Sequence, residues 1–271
     1  MHNCNRPVFC EVTSRSRRSG SSGFTLVEML VVISLIIVLM ALAVPAINTM
    51  KSGSDFSQAA YDMGGYLDQA RAYAVANNTY VFVGLAEVDG LKDDATQKAT
   101  SSTGFGRVVM MAAASKDGTK GYTVSGSTVT VNYTTWPAGL TAIGKPLIFD
   151  NVHLMASLGT GTGKMQRVPV KAAYRVGDPT NITAPKFGYP IGLSYSDSTA
   201  RYSFTRVLSF DPQGALRFVS AASGDSLPPD GYVEIGMIPS HGNATVPGSS
   251  PANQAALLVD CMSGNYRVYR P

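Results

Sequence analysis

The chain has 271 residues, a formal charge of +4, 15% charged side chains and 27 glycines. Four arginines (Arg6, Arg15, Arg17 and Arg18) against Glu11 place +3 of that charge in residues 1–23, leaving +1 for everything beyond them. A broad polycationic surface for nucleic acid is therefore excluded. Low charge with abundant Gly, Ser and Thr suits a β-rich, turn-rich domain instead.

Residues 1–23 read as a basic leader that holds the N-terminus on the cytoplasmic side. It ends at Gly23-Phe24-Thr25-Leu26-Val27-Glu28, and Met29–Met50 then runs for 22 residues without a formal charge. As a helix that run is about 33 Å long, enough for a hydrocarbon core of roughly 30 Å. A carboxylate at the start of such a span is expensive in lipid unless it finds a partner. Three plainer readings compete. A secretory signal peptide cut near Ala41-Leu42-Ala43 would have a shorter apolar stretch and no Glu28. A simple anchor fits the length but gives Gly23 and Glu28 no purpose. A buried core helix does not run for so many uncharged residues.

The segment Gly23–Met50 resembles the N-terminal signal of type IV pilins and type II secretion pseudopilins. The resemblance implies that prepilin peptidase cuts between Gly23 and Phe24, and that Phe24 becomes the N-methylated first residue. It implies that Glu28 serves assembly by meeting the Phe24 amine of a neighbouring subunit, and that Pro45 lies where such helices bend or loosen. The implied partners are prepilin peptidase, other pilins or pseudopilins, the inner-membrane assembly platform and membrane lipid; no nucleic acid is expected, because no basic cluster occurs. The implied location is a single pass through the inner membrane with the C-terminal domain in the periplasm, followed by a pilus or pseudopilus. The charge pattern agrees, because a new α-amino group and a carboxylate are each costly alone in lipid and less so together.

Beyond the span, Phe56, Ala60, Met63, Leu67, Ala70 and Ala74 follow one another at three- and four-residue spacing, a single helical stripe. Residues 51–78 thus read as an amphipathic continuation of the stem, weakened by about 1 kcal/mol at each of Gly64 and Gly65 and ended by Asn77-Asn78. Residues 79–271 read as one β-rich domain. Its expected strands are 80–83, 106–112, 128–133, 146–149, 168–173, 191–195, 205–210, 216–219, 231–238, 255–260 and 266–269, with exposed loops at 87–104 and 241–253. The whole is an α+β chain: a leader (1–23), a transmembrane or filament-core helix (24–50), the stem continuation and the β domain. Leu67–Asn78, Leu208–Gly214 and the terminal pair of strands resemble the GspH/FimT-like minor pseudopilin branch. The size and pattern also resemble the pilin-like Verru_Chthon cassette protein D group.

Catalytic and metal signals are missing. Leu158–Met165 imitates a phosphate loop but has leucine where the first glycine belongs and methionine where a hydroxyl belongs. His153 and His241 have no His or Cys at ligand spacing, Asp89, Asp93 and Asp94 lack the calcium-loop pattern, and no GxSxG elbow occurs. No catalytic residue, metal or cofactor is expected. The Asn-x-Thr triplets at Asn77, Asn132, Asn181 and Asn243 read as chance, Tyr61, Tyr66, Tyr73 and Tyr80 as packing residues, and Cys261 as a buried thiol. Two functions fit: a structural subunit of a pilus or secretion pseudopilus, or a membrane-anchored exported binding domain such as an adhesin.

Overall fold

A computed structural model describes residues 23–92, 104–125, 128–156, 158, 165–178, 181, 183–220, 228, 230–240 and 253–271, without the side chains of 42–55. One helix, α1 (Leu26–Asn77), precedes the strands, and the fold is α+β as expected. The chain divides into two compact units, one ending at Asn48 and the other running from Thr49 to Pro271.

In the second unit the helical stripe packs as its spacing requires. Phe56, Ala60, Met63, Leu67, Ala70 and Ala74 are all 2% exposed or less. The strands that follow are β1 (Val81–Asp89), β2 (Gly106–Ser115), β3 (Tyr122–Ser125), β4 (Thr128–Val131), β5 (Leu140–Asp150), β6 (Val152–Met155), β7 (Phe187–Tyr189), β8 (Tyr202–Phe204), β9 (Arg206–Phe210), β10 (Leu216–Arg217), β11 (Tyr232–Pro239), β12 (Ala255–Asp260) and β13 (Tyr266–Tyr269). Among the described residues they form an antiparallel sheet of order β10-β9-β1-β2-β5, a second of order β13-β12-β11-β6, and the hairpins β3–β4 and β7–β8.

The first sheet is apolar on both faces, which explains why β1 and β2 read as continuous apolar runs. Alternate residues Val81, Val83, Leu85 and Val108, Met110, Ala112 join the helix in the main core. Phe82, Val88, Val109, Met111 and Ala113 join Trp136, Phe187, Tyr202 and Phe204 in a second core on the other face. Gly84 allows that second layer to close, since a Cβ there would lie 2.6 Å from Phe204 Cβ.

Contacts from Tyr66, Gly64, Arg71 and Ser57 lock α1 to the sheets. Between Met110 and Ala112 the β2–β5 register shifts. There the Tyr66 hydroxyl accepts the Ala112 N–H at 2.8 Å and makes a long, weak donation to the Ile143 carbonyl at 3.5 Å. Helix and bulge thus solve one problem together, because a bulge interrupts the ladder and a buried N–H needs an acceptor. Burial of Tyr66 raises its pKa above the usual phenol value. Gly64 lets the ring of Tyr266 approach so closely that a Cβ would sit 2.2 Å from Tyr266 Cε2, whereas Gly65 faces open space. Gly64 is therefore a packing requirement as well as a weak helix former. Arg71 Nη1 donates to Asn265 Oδ1 at 2.8 Å and Arg270 Nη1 to Ser57 Oγ at 2.7 Å, so the C-terminal hairpin straps the helix.

Several expected strands differ. Residues 168–173 are not a strand but an extended segment entering a 3-10 turn, Ala172–Tyr174. The edge of β11 is taken by β6 only as far as Gly236↔Met155, and beyond it Val176 N–H reaches the Glu234 carbonyl at 2.8 Å. Residues 191–195 form the turn after β7, because Pro190 has no N–H to give a ladder and its carbonyl receives the Leu193 N–H at 3.3 Å. The hairpin strands lie on either side of that turn, as β7 and β8. The expected strand 146–149 is the second half of the longer β5, separated from β6 only by Asn151. Glu87–Asp89, expected in a loop, belong to β1. Residues 93–103 and 241–252 of the expected loops, and the core of the phosphate-loop look-alike, residues 159–164, lie outside the described residues.

Arg167 and Glu234 form a fully buried ion pair, Nη2 to Oε1 2.9 Å, with Arg167 Nη2 also 3.3 Å from the Leu158 carbonyl. Burial raises the Glu234 carboxyl above its ordinary value, and Arg167 and Arg175 pull it back. Cys261 is fully buried, its thiol pushed up to about 12 by burial and then by Asp260, as expected of an inert packing residue.

Two substitutions test this packing by chemical unfolding of the full chain in detergent. Tyr66→Phe leaves the Ala112 N–H without an acceptor and is expected to lose about 1–3 kcal/mol. Glu234→Gln strands a buried guanidinium and is expected to lose about 3–5 kcal/mol, much of it recovered by the double change Arg167→Met/Glu234→Leu.

Candidate functional site: the N-terminal processing and assembly segment

The helix begins where its capping chemistry dictates. Thr25 lies just before Leu26, and its Oγ1 accepts the Glu28 N–H at 3.2 Å while its carbonyl accepts the Met29 N–H at 3.1 Å. Thr25-x-x-Glu28 is the sequence of a capping box, in which the acid at the third helical position can answer the cap residue's own N–H. Glu28 is thereby fixed in the first turn, where the positive end of the helix favours a carboxylate. Sequence reasoning singled out Glu28 and overlooked Thr25, although the four-residue pattern was available to it.

Gly23 has nothing within 4 Å of where a Cβ would stand, and Phe24 is 71% exposed, so the expected scissile bond is open to an enzyme. From Phe24 to Met40 every large apolar side chain is exposed, with Leu26 at 82%. The helical backbone continues through Pro45, whose side chain lies outside the described residues. Among the described residues no helix is long and apolar enough to cross a membrane. The stretch of α1 with described side chains reaches Ala41, about 24 Å from Leu26. The second half of the span expected from Met29–Met50 lies beyond it.

The other sequence candidates are separate from this segment. His153 packs edge-on against Phe105, ring centroids 5.0 Å apart, and its Nδ1 bonds Glu87. Asp89 Oδ1 accepts the Leu91 N–H at 2.9 Å in a local turn, while Asp93, Asp94 and His241 lie outside the described residues. Among the described residues no group of three or more His, Cys, Asp and Glu side chains could hold a metal ion. Asn181 is buried, with its side-chain amide donating to the carbonyls of Ala172 and Arg175.

Residues 18–44 match the model of the prokaryotic N-terminal methylation motif. No curated protein and no solved structure matches the chain. The match covers Gly23, Phe24, Thr25 and Glu28, and it supports a pilin-like or pseudopilin-like precursor of the kind processed by prepilin peptidase. It stops short of the β domain.

Replacing Thr25 by Val removes the hydroxyl acceptor at nearly constant shape. A loss of about 1 kcal/mol of capping is expected. Hydrogen exchange of the Glu28 amide in detergent should then quicken by about fivefold, with no change in amides of the β domain.

Proposed function

We propose that the chain is a minor pilin or pseudopilin-like structural subunit of the GspH/FimT-like branch, assembled through its N-terminal helix after cleavage between Gly23 and Phe24. The observation that carries this reading is the exposed apolar helix that starts at a capped Thr25 and holds Glu28 in its first turn, directly behind Gly23. An apolar helix of this kind needs a covering, first lipid and then the helices of neighbouring subunits. Glu28 needs a cation once water is withdrawn, and the N-methylated Phe24 amine of an adjacent subunit supplies it. Prepilin peptidase, other pilins and the inner-membrane platform are the partners. The role is assembly, not catalysis.

The test is expression of the full precursor with a cognate assembly system. N-terminal sequencing of the processed protein is expected to begin at Phe24; a start at Val44 would return the segment to an ordinary signal peptide. Glu28→Ala is expected to leave membrane insertion unchanged and to reduce the filament-borne fraction by about tenfold or more, the equivalent of 1.4 kcal/mol. Undiminished incorporation of that variant would remove Glu28 from assembly and favour a simple anchored binding domain.

A further inference from the structure

At the far end of α1 the helix closes in a Schellman arrangement. The Thr79 N–H reaches the Ala74 carbonyl at 3.1 Å and the Asn78 N–H the Val75 carbonyl at 3.4 Å, with Asn78 at a φ of 50°. Beside this cap the end of β2 and the start of β5 border an open polar cavity of about 530 Å³, within the roughly 300–1,000 Å³ of small-molecule sites. Its walls are held from behind. Thr79 Oγ1 donates to the Ser115 carbonyl at 2.8 Å, and Lys116 Nζ to the Ala138 carbonyl at 2.7 Å.

The groups left facing the cavity decide what it suits. Tyr73 lines one wall, with its half-buried ring packed on the main core. The Asn78 side-chain amide and the Thr141 hydroxyl have no partner among the described residues, and Asn77 donates to the Tyr73 carbonyl through Nδ2, leaving Oδ1 to accept. Asp117 is oriented by Ser115 Oγ at 2.7 Å and by Thr119, bonds that hold its carboxyl below the usual range, and all of them end on Oδ1. The lining therefore offers neutral donors and acceptors and one carboxylate oxygen, Asp117 Oδ2, free of those bonds. A metal ion would find a single carboxylate, too few ligands for a calcium site. A phosphate would find one ammonium, already spent on a carbonyl. A ring of hydroxyls meets this pattern of amide, hydroxyl and carboxylate groups.

We propose that this cavity is a binding site for a neutral sugar residue. The inference does not depend on the assembly role, because none of its residues belongs to the N-terminal segment.

The experiment is saturation-transfer NMR on the full chain in a detergent without a sugar headgroup. The probes are methyl β-glucoside, methyl β-galactoside, methyl α-mannoside and N-acetylglucosamine, at about 10 mM because open hydrogen-bonding sites bind at about 1 mM. Saturation of at least one sugar is expected. It should fall at least fivefold in Asn78→Gly, which preserves the positive φ while deleting the amide, and in Thr141→Val, which deletes the hydroxyl at constant shape. Unchanged unfolding midpoints would show that both variants are folded. Absence of saturation for all four sugars, or equal saturation in wild type and folded variants, overturns the site.

Discussion

The packing of one face of the helix from Phe56 to Ala74 against the sheets is the constraint on which the β domain depends. That face is alanine-rich at Ala60, Ala70 and Ala74, with Phe56, Met63 and Leu67 between, so backbones come close and the larger side chains fill the gaps. Closeness then dictates the neighbours. Tyr266 fits only because residue 64 is glycine, and the β2 bulge is tolerable because Tyr66 brings an acceptor to the Ala112 N–H. The C-terminal hairpin is fastened to the same helix through Asn265 and Arg270. Each of these contacts joins residues remote in sequence, so they act as cooperative closures rather than local preferences.

Charge in the described domain is sparse and mostly local. Asp89, Asp117, Asp197, Asp211 and Asp260 each accept the N–H two residues on, from Leu91, Thr119, Thr199, Gln213 and Met262. These carboxylates stabilise turns by mimicking a backbone acceptor. Arg107–Asp150, His153–Glu87 and the buried pair of Arg167 and Glu234 reach further, the last joining the segment before the 3-10 turn to the second sheet. The stretch of α1 from Leu26 to Ala41 differs, with one carboxylate, no cation in its first turn, and apolar side chains facing outward.

The sequence reached the helix stripe, its end at Asn77, and the strands with strong β-branched or apolar runs, including β1, β2, β9, β11, β12 and β13. It failed where pairing, not propensity, chose the outcome. Residues 168–173 look like a strand by composition, yet β11 has only a short free edge to offer them. Pro190 moved the β7–β8 hairpin off the apolar segment at 191–195. β6 was hidden because a single residue, Asn151, turns the chain from one sheet into the other. In the N-terminal segment Gly23, Phe24 and Glu28 stood out through the resemblance of Gly23–Met50 to prepilin signals, and they lie within residues 18–44 that match the N-terminal methylation motif, because a motif of adjacent residues is read linearly.

By itself the sequence determined the local chemistry: the basic residues before Gly23, the uncharged run, the acid at its start and the helical stripe. These depend on neighbours along the chain, where spacing and burial preference suffice. Only the tertiary structure decided that sheet β10-β9-β1-β2-β5 would be covered on both faces, that Gly64 would be a contact point, and that Tyr73, Asn78, Asp117 and Thr141 would line one cavity. Those outcomes bring together residues tens of positions apart, and the free energy that selects them is packing and hydrogen-bond closure among surfaces that exist only once the chain has folded.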